Sequence, residues 1–320
     1  MRCLVIGGTG FIGVAACREL MRRGVETIAA GRSPKPYGTF TSHVAFDRTD
    51  PAQLARVLDA TRPDVLLDLA AFRPADVEAV MELFGGERYV FVSTGVYPDL
   101  QGRPAREDDF LPLEGDPPRF EERNVRGDPG AYLAGKRWCE TVLSRSRGFP
   151  WISVRPPAVL GADDHSLRAV AYIQRVEDGR PLLVPAESYE RQAGLAWSRD
   201  VGYACALACE LRREVSGAYN VAFEGVTLRR LIEAIGQALG RRPELVPIPF
   251  ADLPPSASPY GPDPNRSAGY DLARSRRELG FEPSSLEDAL AETLAWYLAR
   301  RPSHPGYEQR AKELELLAAT

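Results

Sequence analysis

Apolar positions in the first half of the chain fall into short runs separated by stretches with helical spacing. Cys3-Leu4-Val5-Ile6 is a continuous apolar run of the kind that forms a strand buried on both faces. Glycines follow at 7, 8, 10 and 13, and apolar residues then recur through Val14, Ala15, Leu20 and Met21. Val25 to Ala30, His43 to Phe46, Asp64 to Leu69, Arg88 to Val92 and Trp151 to Arg155 repeat the strand pattern. Helices are predicted between them: after Pro51 through Leu54, Val57 and Leu58, across Val77, Val80, Met81 and Phe84, and from Ala131 to about Arg147. Strands alternating with helices at these intervals predict an α/β fold, a Rossmann-type doubly wound parallel sheet.

Residues 98–130 break the alternation with Pro, Gly, Asp, Glu and Arg, a long irregular excursion of the kind that carries function in compact domains. After residue 158 the alternation weakens. Helices are predicted over 166–178, from near Asp200, over 227–239, 271–279 and 286–300, with strands at Leu182–Val184, Leu195–Trp197 and Gly217–Val221. Residues 247–267 read as a proline-rich loop with Tyr260 and Arg266, and a peripheral helix follows Pro302 and Pro305. The domain expectation is a dinucleotide-binding Rossmann domain over 1–158, completed by segments near 192–222. Residues 159–320 are expected to form mainly a smaller, mixed substrate lobe. The substrate wall is placed on 95–130, Pro157–His165, the segment near Arg191 and the 250–267 loop.

Composition narrows the function classes. Apolar and charged fractions of 44% and 26% are ordinary for a globular protein, and a net charge of −4 offers no general attraction to nucleic acid or anionic membrane. No run is long and apolar enough for a membrane span, and the chain enters its first strand too soon for a signal peptide. Cys3, Cys17, Cys139, Cys205 and Cys209 sit in apolar patterns, and with only three histidines no metal site is expected. A cytoplasmic, disulfide-free enzyme with a small-molecule substrate fits these features.

The order strand, glycine turn, helix gives Gly7-Gly8-Thr9-Gly10-Phe11-Ile12-Gly13 the context of a dinucleotide fingerprint. Gly7 permits the tight turn, Gly10 lets the backbone approach a pyrophosphate, and Gly13 lets the helix pack on the strand. Where an NAD-binding unit carries an acid for the ribose hydroxyls, no Asp or Glu occurs between Glu26 and Asp47, and Arg32 stands there with Ser33. An arginine clamps a 2′-phosphate, so NADP(H) is favoured over NAD(H).

Tyr132 and Lys136, four residues apart, share one helix face. A phenol beside a cation has a lowered pKa and can exchange a proton with a carbonyl or alcohol oxygen. Ser93, at the carboxyl end of the fifth strand, can donate a hydrogen bond to the same oxygen, with Thr94 as the alternative. Together these features resemble the extended short-chain dehydrogenase/reductase family of NAD(P)-dependent epimerases, dehydratases and carbonyl reductases. The resemblance rests on Gly7–Gly13, Asp47, Asp68-Leu69-Ala70-Ala71, Ser93 with Val96-Tyr97, Tyr132 with Lys136 and Glu140, and Arg155-Pro156-Pro157 leading to Gly161. Arg199-Asp200-Val201 and Gly217–Val221 extend it over almost the whole chain.

The resemblance implies that Tyr132 is the acid/base, that Lys136 lowers its pKa and holds the nicotinamide ribose, and that Ser93 orients the substrate oxygen. It places Asp47 at the adenine amino group, Ala70 and Ala71 along the cofactor cleft, and Arg48 and Pro156 at the cofactor. It also implies a homodimer through the helices around 76–84 and 131–147. Sugar-nucleotide members carry an Asn three residues after the strand-six arginine; here the position is Ala158. That departure leaves room for another small carbonyl compound. The competing reading is a non-catalytic member of the same fold that senses the dinucleotide or binds RNA.

Overall fold

The computed structural model describes residues 1–33, 38–257 and 269–319. The expectations placed on Tyr260, Arg266 and most of the 250–267 loop lie outside the described residues. The chain opens with β1 (Arg2–Ile6), α1 (Phe11–Arg22), β2 (Glu26–Gly31), β3 (Ser42–Ala45), α2 (Pro51–Thr61), β4 (Val65–Asp68), α3 (Pro74–Leu83) and β5 (Arg88–Val92). The excursion carries a short helix, α4 (Glu122–Gly127), and leads into α5 (Pro129–Arg145) and β6 (Trp151–Arg155). There follow β7 (Ala158–Leu160), α6 (Arg168–Glu177), β8 (Leu182–Pro185), β9 (Leu195–Trp197), α7 (Ser198–Glu210) and β10 (Gly217–Asn220). The last elements are α8 (Leu228–Ala238), β11 (Leu245–Ile248), α9 (Leu286–Arg300) and α10 (Arg310–Ala319).

The main sheet has the order β10-β6-β5-β4-β1-β2-β3, and every neighbouring pair is parallel. The order reverses between β1 and β4, so the crevice at their carboxyl ends is the switch point where open α/β sheets bind ligands. The apolar run of β1 is continuous because both faces are covered. Cys3 and Val5 enter the layer with Cys17, Leu20, Val201 and Cys205, whereas Leu4 and Ile6 enter the opposite layer with Leu54, Val77, Cys139 and Leu143.

The late helix α7 completes the first layer by packing on α1. A Cβ added at Gly202 would stand 2.6 Å from the Ala15 backbone, so only glycine permits this approach. A separate core gathers Tyr172 and Ile173 of α6, Leu231 and Ile232 of α8, and Leu290 and Leu294 of α9. Two parallel strand pairs, β8 with β11 and β7 with β9, complete it.

Two segments are tied down more firmly than their composition suggests. In the excursion, Glu107 is buried and accepts a hydrogen bond from the Asn220 N–H at 2.8 Å, while its carbonyl accepts from Arg155 Nη1 at 2.9 Å. The C-terminal helix is largely exposed but anchored by one face: Glu313 is fully buried and pairs with Arg175 at 2.6 Å, and Arg310 pairs with Asp178 at 2.9 Å. All five cysteines are free and buried. Among the described residues no helix is long and apolar enough to cross a membrane.

Candidate active site

A cleft of about 580 Å³ opens at the carboxyl ends of β1, β4, β5 and β6. Its floor is the glycine turn. Gly7 has φ +82°, and its N–H donates to the Ala30 carbonyl at 2.8 Å. A Cβ at Gly13 would stand 2.0 Å from the Gly7 carbonyl oxygen, so α1 closes on the turn only because that position is bare. Gly10 caps α1 without a side-chain hydrogen bond to the first turn. A bare backbone turn at an uncapped helix start fits a dinucleotide pyrophosphate. Gly7, Gly10, Phe11, Ile12 and Gly13 all line the cleft, as do Ala70 and Pro156 further along it.

The facing wall comes from α5. Asp128 caps it, its Oδ1 accepting from the Ala131 N–H at 2.6 Å, and Pro129 sits in the first turn. Tyr132 and Lys136 therefore project together into the cleft. Phe72, from the turn after β4, lies against Tyr132 with ring centres 5.9 Å apart. Lys136 is 2% exposed, and its ammonium donates to the Val92 carbonyl at 2.7 Å and stands 4.7 and 4.6 Å from the Phe72 and Phe91 ring centres. Burial pushes its pKa down to about 8.

Burial also raises the Tyr132 pKa; the Thr94 hydroxyl and the Arg168 guanidinium oppose that rise. Lys136 was expected to lower the phenol's pKa, but its ammonium is turned onto the Val92 carbonyl, 5.9 Å from the Tyr132 ring centre. Ser93 and Thr94 both line the cleft. Ser93 is 3% exposed, and its Oγ makes no hydrogen bond of normal geometry, although it lies near enough to the Glu140 carboxylate to favour its ionised form. Glu140 joins α5 to β6, accepting from Ser153 Oγ at 2.6 Å and from Arg155 Nε and Nη2 at 2.9 Å each.

Arg48 and Ala71 stand outside the lining of this cleft. Arg48 does not line the cleft: its guanidinium is buried, paired with Asp68 and, at 3.1 Å, with Asp76. Those two carboxylates hold the turn after β4, Asp68 accepting from the Ala70 N–H and Asp76 from the N–H groups of Phe72 and Arg73, each at 2.9 Å. Ala71 is fully buried among Leu4, Ile6 and Leu54, because alternation along the segment turns it away from Ala70. Asp47 ends the β3 segment outside the cleft lining, with its carboxylate accepting from the Thr49 N–H at 2.9 Å and hydroxyl at 2.8 Å. Thr9 lines a neighbouring cavity together with Gly10 and Phe11. Arg32 is exposed, 3.4 Å from Glu122.

Phe72, Arg126 and Arg168 line the cleft and were not singled out from the sequence. Arg126 lies within the excursion assigned to the substrate wall, but no local pattern separates it from the other arginines there. Its Cζ stands 4.5 Å from the Phe72 ring centre, a contact only the fold creates.

A model of the NAD-dependent epimerase/dehydratase family matches residues 3–83. The chain is 29% identical over 201 residues to the chloroplast stem-loop binding protein of 41 kDa b from Arabidopsis thaliana, covering 58% of this chain and 49% of that one. It is 33% identical over 97 residues to the 2′-dehydrokanamycin reductase of Streptomyces kanamyceticus, covering 29% of this chain and 28% of that one. The chain thus spans about half, or less, of the length of these relatives. Among solved structures, UDP-glucose 4-epimerase from Thermus thermophilus in complex with NAD superimposes with a TM-score of 0.66 at 25% identity, over 94% of this chain and all of that one. Fold, glycine turn and family match agree in what the chain is similar to: residues 3–83 match the NAD-dependent epimerase/dehydratase family, and the whole chain shares its fold with a solved epimerase that carries NAD.

Proposed function

We propose that the chain is an NAD(P)(H)-dependent oxidoreductase acting at a carbonyl or alcohol carbon of a small-molecule or sugar-type substrate. The net outcome is reduction, epimerisation or dehydration. The observation that carries this reading is the meeting of Tyr132, Lys136, Ser93 and Thr94 on the same cleft as the bare glycine turn. When bound, the dinucleotide supplies or accepts the hydride. Tyr132, kept protonated at neutral pH by burial, gives its proton to a substrate carbonyl oxygen and takes one back in the reverse direction. Lys136, anchored on the Val92 carbonyl, presents its remaining N–H donors to ribose hydroxyls. Ser93 and Thr94 supply hydroxyls to orient the substrate oxygen, and Phe72 with Pro156 keeps that end of the cleft dry. Arg126 and Arg168 give the remaining wall a positive lining suited to a polar or anionic substrate group.

The expectation of NADP(H) rested on the absence of an acid beside Arg32. The ion pair with Glu122 removes that premise, and the solved Thermus relative carries NAD, so either dinucleotide belongs to the proposal. The names of similar proteins include both a reductase and an epimerase, in keeping with a site that serves both outcomes. Tyr132→Phe tests the reading. Turnover should fall by about a hundredfold or more with the dinucleotide dissociation constant unchanged within about threefold. Near-normal turnover removes Tyr132 from its role.

A second reading, RNA binding without turnover, is favoured by the likeness to a protein named for stem-loop binding. The net charge of −4 and the intact Tyr132/Lys136 pair oppose it. A salt-sensitive RNA complex, in protein that shows no dinucleotide-linked turnover, would put it first.

A further inference from the structure

Locally the sequence leaves Arg32 without an acid; the fold brings one from far along the chain. Arg32 follows β2 directly, at the strand end where a Rossmann unit meets the adenosine ribose of its dinucleotide. Its Nη1 lies 3.4 Å from Oε1 of Glu122, on α4, with side-chain exposures of 60% and 28%. The same Oε1 accepts from Arg126 Nε at 2.8 Å, and Arg126 in turn lies over Phe72 in the cleft wall. Glu122 is therefore held in place by a cation that itself faces the site. Asp47 senses the Arg32 charge, but its carboxylate is engaged by the Thr49 N–H and hydroxyl.

We propose that Glu122 is the acid that selects the dinucleotide: it stands where a 2′-phosphate would have to bind, so the cleft takes NAD(H) in preference to NADP(H). The inference rests on the dinucleotide reading of the cleft. A 2′-phosphate brings close to two negative charges and needs Arg32 free; beside Glu122 it meets a carboxylate and a guanidinium already paired. A 2′-hydroxyl has the opposite preference, because it donates to a carboxylate as the acid in NAD-binding units accepts from the ribose. Arg32 and Glu122 thus pull in opposite directions, and the one closer to the bound ribose hydroxyls decides. An ion pair this exposed contributes little to folding, so removing it changes selection without disturbing the fold.

Calorimetric titration with NADH and NADPH, on protein stripped of copurified dinucleotide, tests the assignment in three proteins: wild type, Glu122→Gln, and Glu122→Gln with Arg32→Ala. Wild type should bind NADH more tightly. Glu122→Gln should tighten NADPH binding by about tenfold while NADH binding changes by no more than about threefold. The double variant should lose the gain, because Arg32 is what the phosphate then reaches. An NADPH-to-NADH affinity ratio in Glu122→Gln within about twofold of wild type overturns the selecting role, as does a wild type that prefers NADPH. Those two outcomes leave the cleft a dinucleotide site. Failure of wild type to bind either dinucleotide is the distinct result that overturns the dinucleotide reading and the selecting role with it.

Discussion

Lys136 is a cation where folding alone has no use for one. Its ammonium is buried, with one hydrogen bond to the Val92 carbonyl and two aromatic faces near by, and these contacts do not replace its lost hydration. Its pKa consequently falls from 10.5 to about 8. A lysine whose pKa is lower in the folded than in the unfolded chain opposes folding. The opposition is complete below pH 8 and is relieved as pH rises towards 10.5; at neutral pH the gap corresponds to about 3 kcal/mol.

Lys136→Met keeps most of the side-chain length, abolishes the charge and leaves the Val92 carbonyl without its donor, a loss of about 1–2 kcal/mol. The dinucleotide-free variant should therefore be about 1–2 kcal/mol more stable than wild type at pH 7. That advantage should shrink by about 2 kcal/mol between pH 7 and 9.5, as the wild-type lysine loses its proton. Urea unfolding of both proteins across this range measures the difference, and titrations common to both cancel. Turnover of the variant should be lost, since nothing then holds the ribose. Parallel pH dependences would refute the reasoning, as would a variant less stable than wild type at pH 7 by more than about 1 kcal/mol.

Gly13→Ala drives a Cβ to 2.0 Å from the Gly7 carbonyl oxygen, so α1 must withdraw from the turn. Dinucleotide affinity should fall by about a hundredfold or more by nicotinamide fluorescence, and binding within about threefold of wild type would take the pyrophosphate away from this turn. Thr94→Val removes a hydroxyl that favours the Tyr132 phenolate, so the Tyr132-dependent limb of the kcat–pH profile should move to higher pH. Ser93→Ala should lower kcat without moving that limb, and a shift with Ser93→Ala but not with Thr94→Val would exchange their roles.

What was legible in the sequence was whatever depends on neighbours along the chain. The apolar run of β1, the glycine spacing, the helix start at Pro51 and the four-residue spacing of Tyr132 and Lys136 are local patterns, and local geometry enforces them. The short strands β7 and β11 escaped although their partners β9 and β8 were read, because β7 follows Pro156-Pro157 at once and β11 contains Pro247, and proline interrupts the strand signal. The Arg32 argument was confined to near neighbours in the same way. It counted acids between Glu26 and Asp47, whereas the acid that meets Arg32 arrives from α4 through tertiary packing. Arg126 and Phe72 form part of the site by that same packing.

Arg48 shows how a residue outside the cleft lining still bears on the chemistry. A buried arginine joining two carboxylates is an expensive way to hold a turn, and apolar side chains of similar volume commonly serve stability as well or better. Its location explains the choice. Burial is the main cause of the depressed Lys136 pKa; Asp68 and Asp76 work against it, and Arg48 works with it. Arg48 opposes them at Lys136 while fixing them to the Ala70–Phe72 turn that faces the cleft. The lysine is left buried, with a depressed pKa and unspent N–H donors. A cation prepared in this way gains far more from an incoming pair of hydroxyls than a solvated one would. The energy with which the proposed cofactor ribose is held is thus set in part by an arginine that never touches it.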